Sequence, residues 1–315
     1  MTEPQLSTVT RTQGNNEALK TGAVTPRGFR FAFEEVPVLV RAFRRMVRDL
    51  EFDVCEMALT TYLVAKAHGV PFTAVPTFLV RGFHHAAIHR AEDSDIRHPK
   101  DLEGRKVGVS RGYTVTTGVW ARAILQEEYG VDLDEVTWVL SGDEHVAQYR
   151  PPANVVPMEP GRTLEDMLRT GELAAVIGAG IAGPGIVPLI PEPLEAGFRG
   201  LQQRGFYPIN HLVVIRDDVL RDHPDAATAV FDAFTSAKQR YVERLRSGSI
   251  ENPTATDRMY ARVLAATGCD PLPYGITPNR KTLDELLHHA ARQHILERPP
   301  AVEDVFAPAT LDLVG

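Results

Sequence analysis

The sequence predicts an α/β protein of two lobes with a cleft between them. Three observations carry this. Apolar strand-like runs alternate with helix-period segments in one series up to about residue 90, and in a second series after it. A polar, Pro-punctuated stretch, AEDSDIRHPKDLEGRK, separates the two. From Pro224 onward the chain reads mainly as helix. Alternating β and α elements imply parallel strands joined by right-handed crossovers. Boundaries near 90 and 205 divide the chain into 1–90 plus 205–315 as one discontinuous lobe and 91–204 as the other. A single doubly wound sheet is the competing architecture.

The elements follow in order. Residues 1–22 are polar and read as a loosely attached tail. Phe29–Phe33 is a short strand. Val36–Leu50 places Val36, Leu39, Val40, Phe43, Val47 and Leu50 on one helical face, with Pro37 suited to its first turn. Phe52–Leu59 is a strand, Tyr62–His68 a helix closed by Gly69, and Phe72–Phe78 the next strand. Ala86–Arg90 is a further strand candidate. In the second series Val107–Ser110, Val136–Leu140 and Ala174–Ile177 are strands, and Val115–Tyr129 and Leu164–Thr170 are helices. Residues 178–200 are rich in Gly and Pro and read as loop. Leu212–Ile215 is a strand, followed by helices over 225–246, 254–267 and 279–296.

Composition excludes several classes. At 315 residues the chain can hold a large core, and its 43% hydrophobic and 24% charged content is that of a globular protein. A net charge of −7 gives no nucleic-acid footprint. No run of about 18 apolar residues exists, so no membrane span is expected. The polar N-terminus lacks the apolar core of a secretory signal, and a cytoplasmic location is expected. Cys55 and Cys269 are far apart and have no metal-binding spacing. No HExxH or GxSxG is present. Gly178-Ala-Gly180-Ile-Ala-Gly183 fits GxGxxG formally, but the prolines after it prevent a helix from starting there to hold a pyrophosphate. Neither a metal nor an organic cofactor is expected.

The candidate site starts from residues 52–85. Glu56 interrupts a run that should be apolar, and an isolated buried carboxylate is very costly, so it needs a partner or a polar cavity. Its structural alternative is an ion pair with Arg81. Arg81, His84 and His85 cluster just past the next strand. Arg81 has the fork geometry for a carboxylate, and the histidines can move protons. Farther on, Tyr274, Asn279 and Arg280 lie in a turn before a helix, with Asn279 a candidate N-cap. Residues 109–120, which include Tyr113 and Thr116, are expected to form the facing wall of the cleft.

Seven stretches together resemble the 4,5-dihydroxyphthalate decarboxylase family: FDVCEMALTTYL, PFTAVPTFLVRGFHHAAI, DLEGRKVGV, VWARAILQEEYGV, GRTLEDMLRTGELAAVIGA, FYPINHLVVIRDDVL and PYGITPNRKTL. They run in the family's order. The resemblance implies the two-lobed fold of type II periplasmic binding proteins, with an interlobe cleft, in an intracellular enzyme. Glu56, Arg81, His85, His211, Tyr274, Asn279 and Arg280 fall in matching motifs. Phe83-His84-His85-Ala86 departs from a family stretch similar to FRHS, and the loop after Ile177 lacks an Arg that the family carries. These departures leave open whether the substrate is a mono- or a dicarboxylate.

Loss of CO2 from a hydroxylated aromatic acid needs a proton donor to the ring carbon, an acceptor for the phenol proton and a cation to orient the acid. From that chemistry His85 or His84 is the expected donor, Glu56 the group that orients or tunes it, Arg81 and Arg280 the clamp, and Tyr113, Thr116, His211, Tyr274 and Asn279 the substrate contacts. The expected partner is a small aromatic carboxylate, and the sequence is compatible with a homo-oligomer. A non-catalytic binding protein for such acids is the second reading. A related lyase, isomerase or hydrolase is the third.

Overall fold

The computed structural model describes residues 3–178, 180–205 and 207–315. Among the described residues, eleven strands form two sheets. The first sheet contains β1 (Gln5–Val9), β2 (Arg30–Phe33), β3 (Val54–Ala58), β4 (Phe72–Arg81) and β11 (Ile209–Arg216). The second contains β5 (Ile88–Ala91), β6 (Lys106–Val109), β7 (Thr137–Leu140), β8 (Val155–Pro157), β9 (Ala175–Ile177) and β10 (Ile186–Pro188).

The spatial order of the first sheet is β2-β1-β3-β11-β4. β1 runs parallel to β2 and β3, while β11 is inserted antiparallel between β3 and β4. Two expectations are corrected here. Residues 5–9 are not a tail: β1 is an interior strand, with Leu6 and Val9 in the core. Its polar Ser7 and Thr8 masked it in the sequence; Ser7 instead binds the Asp53 carboxylate through both N–H and Oγ, at 2.8 and 2.9 Å. The sheet is also not purely parallel, because the chain returns after residue 205 to add β11. Pro76 lies in β4 at an edge of the sheet, where a missing N–H is tolerated.

The second sheet has the order β10-β5-β9-β6-β7-β8, with β9, β6, β7 and β8 parallel and β5 antiparallel to both its neighbours. The stretch 178–200 is not all loop. β10 lies within it, and a helix runs Pro193–Arg204. Pro193 occupies the first turn, where its missing N–H costs nothing. Gly197, a residue that argues against helix, is required: a Cβ there would stand 2.5 Å from the Phe83 ring. Ala179 of the GxGxxG stretch lies outside the described residues.

Most helices start and stop near their expected positions. Leu39–Asp49 buries Leu39, Phe43, Met46 and Val47; Thr116–Tyr129 ends at Gly130 with φ 67°. Ala226–Ser247, Ala255–Thr267 and Arg280–Arg292 form the C-terminal helical part. Among the described residues, no helix is long and apolar enough to cross a membrane.

Candidate active site

β3 is buried along its whole length, so Glu56 is held in the interior by the strand on which it sits. β11 pairs antiparallel with β3 and places His211 opposite Ala58 and Val213 opposite Glu56. On that shared face His211 Nδ1 lies 2.7 Å from Glu56 Oε1. Glu56 Oε2 accepts the Arg11 backbone N–H at 2.9 Å. Both carboxylate oxygens are thus bonded, which offsets the cost of burial. The Glu56 side chain is fully buried, while His211 keeps 18% of its side chain exposed. The imidazole is therefore the end of the pair that a small molecule can touch. Glu56 does not pair with Arg81, as the structural alternative required.

Phe43, on the helix Leu39–Asp49, joins this pair to the other sheet. Its ring meets His211 edge-on at 5.3 Å and His145 at 6.2 Å between centroids. His145 follows β7. Its Nδ1 lies 3.0 Å from Thr61 Oγ1, and its Nε2 is buried with no partner among the described residues. Burial, reinforced by Arg44 and Arg111, lowers the His145 pKa to about 4. The ring is neutral at pH 7.

Further bonds close the two sheets' ends on each other. Thr60 N–H donates to Thr116 Oγ1 at 3.1 Å, and Thr60 Oγ1 donates to the Thr114 carbonyl at 2.5 Å. Arg44 and Arg48 both reach Asp143, and Arg48 also donates to the carbonyls of Glu144 and His145. The Glu144 carboxylate accepts from Tyr113 N–H and from Thr114 N–H and Oγ1, just before the helix Thr116–Tyr129.

The other residues named from the sequence divide into groups. Thr116 lies in the closure just described. Tyr113 is buried beside it, its ring 3.8 Å from the Arg122 guanidinium carbon. Arg81, Tyr274 and Asn279 come together, but as a buried knot. Arg81 donates to the carbonyls of Tyr207 and Pro273, at 3.0 and 3.1 Å, and to Asn279 Oδ1. Burial pulls its pKa down to about 10. Asn279 holds the N-cap position of the following helix but makes no capping bond with its side chain; its amide donates to the carbonyls of Pro273 and Gly275. Tyr274 is fully buried, its hydroxyl has no partner among the described residues, and burial raises its pKa well above the usual value.

His84 and His85 do not reach Glu56. His84 Nε2 pairs with Asn210 Oδ1 at 2.9 Å, and burial lowers its pKa to about 4. His85 Nε2 pairs with Glu128 at 2.9 Å. Arg280 is exposed, pairs with Glu303, and borders an outer groove of about 670 Å³ with Glu127, Asp284 and His288. A side chain committed there does not line the Glu56–His211 site.

Sequence reasoning missed Arg111, Glu144 and His145. Arg111 was legible as a cation between a strand end and a helix start. The other two sit in a loop with no periodicity, and only the fold brings them to Thr61 and Tyr113. Among the described residues, no group of three or more His, Cys, Asp or Glu side chains is placed to hold a metal.

The strand order, with one return strand inserted antiparallel in the first sheet, and the cleft between the sheets define a two-lobed periplasmic-binding-protein fold of type II. Solved structures agree. The alkanesulfonate-binding protein SsuA from Xanthomonas axonopodis pv. citri, bound to MOPS, superposes with a TM-score of 0.54 at 16% identity, covering 98% of this chain and 99% of that one. The desulfurization enzyme DSZB superposes with a TM-score of 0.56 at 14% identity, covering 98% of both chains. A binding protein and an enzyme thus share the fold, which by itself does not separate the two roles. The NMT1/THI5-like family matches residues 44–152. A 4,5-dihydroxyphthalate decarboxylase of Comamonas testosteroni is 30% identical over 288 residues, 86% of each chain. One of Pseudomonas putida is 38% identical over 144 residues, 43% of this chain and 55% of that one. The chain belongs to the 4,5-dihydroxyphthalate decarboxylase family of carboxy-lyases.

Proposed function

We propose that this protein decarboxylates a hydroxylated aromatic carboxylic acid, similar to 4,5-dihydroxyphthalate, by protonating the ring carbon that bears the carboxylate. The observation that carries the reading is the Glu56–His211 pair at 2.7 Å, buried at the carboxylate and open at the imidazole. Family membership supports the reaction class. This pair replaces the His85–Glu56 pairing expected from the sequence.

The steps balance without another reactant. With Glu56 accepting from Nδ1–H, the protonated His211 ring presents Nε2–H to the cleft. That proton passes to the ring carbon while a substrate hydroxyl supplies electron density. The carbon–carbon bond to the carboxylate then breaks, its electron pair restores the aromatic ring, and CO2 leaves. His211 regains a proton from solvent. General acid catalysis of this kind contributes roughly 10²–10⁴-fold. Both cysteines are free thiols, which fits a cytoplasmic setting.

The test is a panel of hydroxybenzoates and hydroxyphthalates with purified protein. Release of CO2 by the wild type, and its loss by roughly two orders of magnitude or more in His211→Asn and Glu56→Gln, is expected. Tight binding of these acids without CO2 release favours the solute-binding reading instead. Full turnover by His211→Asn removes His211 from the mechanism.

A further inference from the structure

Arg111 has an unusual backbone and an unanswered charge. It follows β6 and adopts φ 72°, a left-handed conformation in which a residue with a Cβ is strained. The surroundings hold it there. Its N–H donates to Ser141 Oγ at 2.9 Å, and a Cβ on Gly142 would come within 3.3 Å of the Arg111 Cα. Its side chain is half-buried, and burial, followed by the charge of Arg44, lowers its pKa. No acceptor or carboxylate pairs with that guanidinium among the described residues. A cation that is strained, partly desolvated and next to another cation is held at a net cost in the empty protein, and an anion relieves it.

Two neighbours narrow what the anion is. Glu144 already fills the backbone N–H groups of Tyr113 and Thr114, and Gly112 makes room for it: a Cβ there would meet the Glu144 carboxylate at 2.5 Å. An incoming anion does not have that nest and must use side chains. The loop that carries His145 packs on Arg111 through Ser141 and Gly142, and the His145 Nε2 is buried and unpaired among the described residues. With Thr61 Oγ–H donating to Nδ1, the neutral ring carries its hydrogen on Nε2 and offers it to an oxygen.

We infer that Arg111 and His145 form a subsite for a carboxylate of the aromatic substrate, an assignment that rests on the decarboxylase reading. Arg111 supplies charge and a fork, and His145 supplies one directed donor. The buried Phe43 ring touches both His145 and His211 and so links this subsite to the Glu56–His211 pair.

The test combines binding and turnover. Phthalate and benzoate, which lack ring hydroxyls, serve as calorimetric probes, and 4,5-dihydroxyphthalate serves as the turnover substrate. Arg111→Gln is expected to weaken probe binding and raise KM by roughly 10- to 100-fold, the worth of a charged hydrogen bond. His145→Gln is expected to shift both less. Arg111→Gly is the control for folding: glycine adopts φ 72° freely, so its Tm is expected to match or exceed the wild type while binding falls as in Arg111→Gln. Turnover with probe Kd and KM unchanged in Arg111→Gln overturns the subsite and leaves the decarboxylase reading standing. Probe binding that depends on Arg111 in a protein that releases no CO2 supports the subsite and overturns the reading. A Tm in Arg111→Gly well below the wild type overturns the subsite by making the residue structural.

Discussion

The Glu128 carboxylate and the His85 imidazole meet at 2.9 Å, and the other carboxylate oxygen of Glu128 lies 2.8 Å from Arg204. His85 sits in the segment that leads from β4 to β5, and Arg204 ends the helix that leads back to β11. One carboxylate therefore ties together two of the connections between the sheets. Glu128→Ala is expected to destabilise the protein by about 1–3 kcal/mol, because it removes the acceptor of the buried His85 and one contact of Arg204. Amide exchange should rise selectively over 82–87 and 200–205. Uniform protection across both segments in the variant would show that the tie has no bearing on their motion.

Acid is expected to destabilise the fold through its buried histidines. His84, His145 and His289 all have folded-state pKa values near 4, and burial is the main cause in each. The unfolded chain has histidines near 6.5 and so binds more protons than the native state between about pH 6.5 and 4. The sign follows: the stabilisation is complete above 6.5 and is lost as pH falls toward 4. Each histidine contributes at most about 1.4 kcal/mol per pH unit. Urea denaturation at pH 7, 6 and 5 checks this. His84→Asn should flatten the slope by about one proton, and a slope that does not change with that substitution would contradict its neutral burial.

Gly197→Ala tests the contact between the helix Pro193–Arg204 and Phe83. The new methyl would start 2.5 Å from the ring, so either the helix or the ring must shift. A loss of about 1–3 kcal/mol is expected, as for other overpacked positions. Helix propensity alone predicts the opposite sign, since alanine is favoured over glycine by about 1 kcal/mol in a helix. The measured sign of the change in Tm decides between packing and propensity.

Much of the architecture was legible because it depends on local signals. The apolar runs at β3, β4, β6, β7 and β9 are short, continuous and bounded by turns, and the long helices carry a clear 3.6-residue pattern. What failed depends on distant partners. β1 reads as polar because Ser7 answers Asp53, 46 residues away. The helix at Pro193 reads as loop because Gly197 answers Phe83. The site shows the same division. Glu56 stood out as a carboxylate in an apolar strand, but its partner His211 is 155 residues away and arrives only because β11 inserts beside β3. Adjacency in sequence pointed to His85 instead.

Arg81 and Arg280 carried the same expected role and now call for opposite outcomes. Arg280 is half-exposed at the protein surface and paired with Glu303. Exposed pairs of this kind are worth about 0–1 kcal/mol, so Arg280→Ala should leave both Tm and KM close to wild type. Arg81 is 6% exposed and holds two carbonyls and Asn279 Oδ1 in place at the end of β4. Arg81→Gln strands the Tyr207 carbonyl and Asn279 Oδ1 in a dry interior, at about 1–3 kcal/mol each where no new donor reaches them, while the Pro273 carbonyl keeps the Asn279 amide. The variant should lose Tm, and the fraction that remains folded should keep the wild-type KM. A raised KM with an unchanged Tm would instead place Arg81 against the substrate and return it to the role the sequence suggested.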